Sequence, residues 1–287
     1  MNHSFIYYFL LLLLVVSCET TKGDGSTMDD TLQTTIEQEM DAWSHRDSSI
    51  LRAYCLCLEN GAVRAEYSTY NQEKEDIIVG SKVIPGDILT PVIQAIVVDS
   101  CLTDASSVSH SIHHQEFYDL LSRIAEVFPE SDCLIPANLS LPSEWDRALQ
   151  LTLQGRCHRV SESDICAAYD CVANNGSSYA PFRDYGTNKD KRVVCSVEAA
   201  TEVIRSIEDT TGRYLPPRCV VYGNIEENGL VREIAVFFSI SKKPMTTLLS
   251  IAYNRTPAIL NQPSNEIMSL INVINSLVSF CQGLDSY

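Results

Sequence analysis

Ile50-Leu-Arg-Ala-Tyr-Cys-Leu-Cys-Leu-Glu59, then Asn60-Gly61, then Ala62-Val-Arg-Ala-Glu-Tyr67 is the stretch on which the fold turns. Two apolar-rich runs flank a dipeptide able to supply the positive φ angles of a tight turn, so the stretch predicts an antiparallel hairpin. Further along, residues 218–222 and 230–238 read as strands joined by the polar turn 223–229, and residues 245–253 as another strand. Phe117, Leu120, Leu121, Ile124 and Val127 recur at helical spacing, with Pro129 as a stop. Ser143 opens a helix carrying Trp145, Leu149 and Leu153, and Ser196 caps one carrying Val197, Ala200, Ile204 and Ile207. Ile267, Leu270, Ile271, Ile274, Leu277 and Val278 mark a last amphipathic helix. Residues 91–98 are an apolar run that periodicity leaves open between strand and buried helix. Strands and helices that do not alternate regularly imply an α+β fold with a central antiparallel sheet and flanking helices.

The N-terminus addresses compartment. Residues 5–16 are one apolar run closed by Ser17-Cys18, the core of a signal peptide over 1–18 and too short for a membrane span. Residues 19–40 read as a flexible lead-in, polar to about Thr31, and 41–287 as one α+β domain, since no linker or repeat divides them. Val15-Val16-Ser17-Cys18 also fits a lipobox with Cys18 as lipid acceptor, but no Lys or Arg precedes it. Asn138, Asn175 and Asn254 head glycosylation sequons, which favours an extracellular, secreted protein over the lipid-anchored alternative.

Removing Cys18 from 11 cysteines leaves ten, an even set that in an exported chain suggests disulfides. A metal site is the weaker reading, because Cys55-Leu-Cys57 has one intervening residue and no matching second pair. No cofactor is expected. Against 21 basic residues stand 37 acidic ones, a net charge of −16, which argues against tight non-specific nucleic-acid binding. There is no Gly-x-Ser-x-Gly elbow and no phosphate-cradling glycine loop. His110, His113 and His114 cluster ahead of the first periodic helix, and His110 and His114 sit four apart, as two imidazoles on one helix face would.

Several segments resemble, in order, the ribonuclease T2 family. Asp119-Leu-Leu-Ser-Arg-Ile-Ala-Glu-Val-Phe-Pro-Glu-Ser-Asp-Cys133 resembles the helix between that family's active-site motifs. Ser143-Glu144-Trp145 resembles its His-Glu-Trp, and Gly155-Arg-Cys157 the end of the second motif. Ser196 to Ile207 resembles its late helix, Gly212, Pro217 and Cys219 the Gly-x-x-Pro-x-x-x-Cys stretch after that helix, and residues 228–236 its late strand pair. The resemblance implies a disulfide-stapled, ribonuclease T2-like fold, with Cys101 bonded to Cys157, Cys219 to Cys281, and Cys133 to Cys55 or Cys57. It also implies loss of the paired imidazoles that general acid–base cleavage of RNA needs, since Ser143 stands for one and residues 147–154 hold no His. The expectation is therefore a secreted ribonuclease-like protein that acts by binding an extracellular protein or RNA. The alternatives are an active endoribonuclease with a displaced site at His110, His113, His114 and Glu144, and a surface lipoprotein of unrelated fold.

Overall fold

Asn60 and Gly61 take φ angles of 48° and 81°, so β1 (Ile50–Glu59) turns back on itself as β2 (Ala62–Tyr70). In a computed structural model of the chain the described residues are 27–46, 48–70, 82–99, 114–136, 139, 141–181, 190–208, 218–227, 230–239, 242–254 and 264–284. In chain order they add α1 (Thr27–Ser44), β3 (Lys82–Val83), α2 (Thr90–Asp99), α3 (His114–Val127), β4 (Asp132–Cys133), α4 (Pro142–Leu153) and β5 (His158–Ser161). There follow α5 (Glu162–Ala173), β6 (Ser177–Tyr179), β7 (Lys191–Val193), α6 (Val197–Ile207), β8 (Arg218–Glu227), β9 (Leu230–Ser239), β10 (Thr246–Tyr253) and α7 (Asn265–Leu284).

Five strands form one antiparallel sheet in the order β2-β1-β10-β9-β8. Successive side chains point to opposite faces. Ala53, Cys55 and Cys57 therefore join Phe237, Leu249 and Ile251 in a core with Leu32, Ile36 and Met40 of α1 and Ile267, Ile271 and Ile274 of α7. Tyr54, Leu56 and Leu58 face the other way, into a second core with α2, α3, α5 and α6. Both faces being covered explains why β1 is almost continuously apolar. Helix α2 buries Val92, Ile93, Ala95, Ile96 and Val97 over more than half of its circumference and exposes Gln94, and a face that broad is why residues 91–98 carry no narrow helical stripe.

The two sheet edges differ. On the outer edge of β2, the Gln33 side-chain amide donates to the Glu66 carbonyl and accepts from the Glu66 N–H, each at 2.8 Å. This amide stands in for a neighbouring strand. Strand β8 meets one bridge near its start, Cys219 with Glu208, and then runs along a cleft.

Two expectations are corrected here. Residues 27–40 belong to α1, whose apolar positions Leu32, Ile36 and Met40 at four-residue spacing are held against the sheet; they are not a flexible lead-in. The expected disulfide staples are also not found among the described residues: Cys55, Cys57, Cys133, Cys157, Cys166, Cys171, Cys195 and Cys219 are all free thiols. Cys55 and Cys57 point into the α1–α7 core while Cys133 is exposed on β4, beside β5 in the other layer, so Cys133 reaches neither. Cys157 and Cys219 are unbonded, and their expected partners Cys101 and Cys281 have side chains outside the described set.

Candidate functional site

After β3 the chain turns through Pro85-Gly86-Asp87-Ile88-Leu89 into α2. Gly86 takes a φ of 56°, its N–H donates to the Gly155 carbonyl at 3.1 Å, and the Leu89 N–H closes back on the Gly86 carbonyl at 2.9 Å. Three elements clamp this turn. Gly155, just past α4, packs so tightly that a Cβ there would lie 2.3 Å from the Gly86 oxygen, at a φ of 66° that a side chain would in any case resist. Gly223 of β8 lets the strand lie on the turn, since a Cβ would come within 2.6 Å of Ile88 Cγ1. From beneath, the fully buried Tyr169 of α5 donates its hydroxyl proton to the Ile88 carbonyl.

In front of the turn lies a cleft of about 720 Å³, lined by residues 84–87, Leu151, Arg156 and residues 222–226 of β8. Asp87, Arg156 and Glu226 are exposed, and none forms an ion pair among the described residues. The Tyr222 hydroxyl lies 2.6 Å from Asn224 Oδ1 and donates to Glu233 Oε1 at 2.7 Å. Burial and the Glu233 carboxylate push the Tyr222 phenol well above its ordinary pKa, so it stays protonated. Glu233 in turn accepts from the Ser264 N–H at 3.0 Å and hydroxyl at 2.8 Å, fixing the start of α7. Among the described residues, no Ser, Thr, Cys, Lys or His lines the cleft.

The residues expected from the sequence do not gather there. His110 and His113 lie outside the described residues, and His114 opens α3, its side chain likewise outside them. Glu144 is a helix cap: its carboxylate accepts from the Leu141 N–H at 2.9 Å. Asn138 lies outside the described residues; Asn175 and Asn254 are exposed. His158, not singled out for chemistry by the sequence, is buried with Nδ1 3.0 Å from Ser131 Oγ and Nε2 without a partner. Burial lowers its pKa, so it is neutral. Burial likewise pushes the thiols of Cys157, Cys171, Cys195 and Cys219 up to about 12, which leaves them poor nucleophiles. Among the described residues no cluster of His, Cys, Asp or Glu is arranged to hold a metal ion, and no helix is long and apolar enough to cross a membrane.

No protein-family model and no curated protein sequence matches the chain. Solved structures do. The transpeptidase domain of the FtsI4 D,D-transpeptidase of Legionella pneumophila superposes over 91% of this chain and 99% of its own, at a TM-score of 0.59 and 15% identity. Penicillin-binding protein 3 of Mycobacterium tuberculosis, complexed with aztreonam, covers 88% of this chain and 78% of its own, at 0.63 and 13%. A peptidoglycan glycosyltransferase of Burkholderia ambifaria covers 88% and 96%, at 0.61 and 13%. The fold is that of the penicillin-binding transpeptidase domain.

That likeness overturns the ribonuclease T2 resemblance, and with it the ribonuclease-like fold, RNA binding, the displaced endoribonuclease site and the lipoprotein of unrelated fold. The segments behind the resemblance are ordinary packing features here. Ser143-Glu144-Trp145 is the capped start of α4, with Trp145 stacked edge-on against Phe117 and Tyr118. Gly155-Arg-Cys157 is the turn that supports Gly86.

Penicillin-binding proteins carry a Ser-x-x-Lys motif with the nucleophilic serine, together with Ser-Asp-Asn and Lys-Thr-Gly. This chain contains neither Ser-Asp-Asn nor Lys-Thr-Gly, and its one Ser-x-x-Lys, Ser239-Ile-Ser-Lys242, begins at the end of β9, with neither Ser239 nor Lys242 among the residues that line the cleft.

Proposed function

We propose that this protein uses the transpeptidase fold to hold an extended peptide in the cleft beside β8 without forming an acyl-enzyme. One observation carries the reading: the cleft is built and clamped, yet none of the described residues that line it can attack a carbonyl as a serine, threonine or cysteine nucleophile, or serve as a lysine base. Acyl transfer on this fold needs both. An edge strand beside a cleft remains suited to binding a chain in extended conformation, where main-chain hydrogen bonds supply affinity and side-chain pockets supply selectivity.

Ampicillin and aztreonam, each bound in a solved structure of the mycobacterial relative, are the direct probes. Incubated with either, the purified protein is expected to keep its intact mass. A stoichiometric covalent adduct would overturn the reading.

Export is part of the same proposal, supported by the apolar run over residues 5–16 and the small residues that close it. N-terminal sequencing of the mature protein is expected to begin at Cys18 or Glu19, and a start at Met1 would refute it.

A further inference from the structure

Resting on the peptide-binding reading, we infer that the cleft selects a cationic segment, a peptide whose Lys or Arg side chains face Asp87 and Glu226. The two carboxylates sit on opposite sides of the cleft, Asp87 on the turn before α2 and Glu226 near the end of β8. Both are exposed, and neither is neutralised by an ion pair among the described residues. Asp87 also lies in the first turn of the short 3-10 segment (Gly86–Ile88) that leads into α2. A ligand carboxylate entering there meets a charge of its own sign.

Among the described lining residues the one opposing charge is Arg156. It lies beside the turn, its Nε 3.9 Å from where a Gly86 Cβ would stand. The described lining therefore carries two acidic side chains against one basic, inside a protein of net charge −16. The near field and the far field have the same sign, so cations are both drawn to the cleft and held in it. An extended peptide alongside β8 directs every second side chain to one face. A chain of alternating Lys and Val can thus present all its ammonium groups on one face, and a one-residue shift of register chooses which face that is.

The test uses an N-acetylated, C-amidated, fluorescent octapeptide alternating Lys and Val, with Glu–Val and Ser–Val counterparts, and reads anisotropy at low and high salt. The Lys–Val probe is expected to bind tightest and to weaken as salt rises. The double variant Asp87→Asn, Glu226→Gln is expected to weaken it about fivefold, the scale of two exposed charge pairs. A control that removes equal charge far from the cleft, Asp30→Asn with Glu198→Gln, should leave it unchanged. Arg156→Gln should tighten it about twofold, a change that structural damage would not produce. Equal binding of the Glu–Val and Lys–Val probes, or no response to the Asp87 and Glu226 changes, would overturn the cationic preference. Binding of Ser–Val as tightly as Lys–Val would overturn it too while leaving the peptide-binding reading intact. Failure of all three probes with folded protein would remove both.

Discussion

Replacing Glu162 by Ala should cost about 3–5 kcal/mol of folding stability, read as a lowered midpoint in urea unfolding, because it takes their shared carboxylate from two guanidinium groups in the interior. Glu162 is the first residue of α5 and only 2% exposed. One carboxylate oxygen lies 2.6 Å from Arg52 Nη1 on β1, the other 3.1 Å from Arg232 Nη1 on β9. Their side chains are 12% and 8% exposed, so water cannot replace the lost partner. The Arg52 guanidinium also rests 5.1 Å above the Tyr54 ring, which holds it in place after the carboxylate is gone. Removing all three charges together, Arg52→Met, Glu162→Leu and Arg232→Met, should recover most of the loss, since an apolar cluster of similar volume needs no desolvated ions. A loss under about 1 kcal/mol for the Ala variant would mean that the triad is solvated and ties no helix to the sheet.

The local parts of this fold were legible because their causes are local. Asn60-Gly61 makes its hairpin by its own φ preferences, and Ser196 caps its helix through a hydroxyl three residues from the N–H that it binds, that of Ala199. Sheet order was not legible. Cys57 pairs with Thr247, 190 residues further on, and nothing in either strand names the other. The even cysteine set misled because a buried thiol packs as a small apolar side chain. Cys166, for example, lies 3.7 Å from the Leu56 carbonyl and 3.9 Å from the Thr246 carbonyl, wedged between α5 and the sheet.

The site was less legible still, since glycines build it and chemistry-bearing side chains do not. Gly86, Gly155 and Gly223 meet from three distant parts of the chain because each lacks a Cβ. The usable signal was Pro85-Gly86-Asp87, a turn sequence opening directly onto the apolar run 91–98. It marked the start of a buried helix. The histidine cluster at 110, 113 and 114 carried no such signal, and no histidine stands among the described residues that line the cleft.

Asp170 should make the protein lose stability as pH rises through the mildly acidic range, the reverse of the usual carboxylate. It is fully buried at the end of α5 and ties three elements together. Its carboxylate accepts the Gly61 N–H of the β1–β2 turn at 2.7 Å, the Ser178 hydroxyl of β6, and the Asn174 side-chain N–H at 3.2 Å. Those donors favour the charged form, but burial outweighs them and lifts the group from the ordinary 3.8 to about 6. The neighbouring thiols of Cys166 and Cys171 are themselves raised by burial and the Asp170 charge, so they remain neutral and do not titrate in this window. A carboxyl with a raised folded pKa contributes stability that is fully present below about pH 3.8 and is lost as pH climbs through about 6, because the unfolded chain ionises first. The change should amount to about 3 kcal/mol, complete by neutral pH. Asp170→Asn removes the titration. The stability of wild type minus that of the variant, from urea unfolding at a series of pH values, should therefore fall between about pH 4 and pH 6 and flatten above 7. At pH 7 Asp170→Ala, which leaves the Gly61 N–H and Ser178 hydroxyl without an acceptor, should be less stable than Asp170→Asn by about 1–3 kcal/mol. A difference curve that rises with pH would show instead that the hydrogen bonds to the carboxylate outweigh its burial.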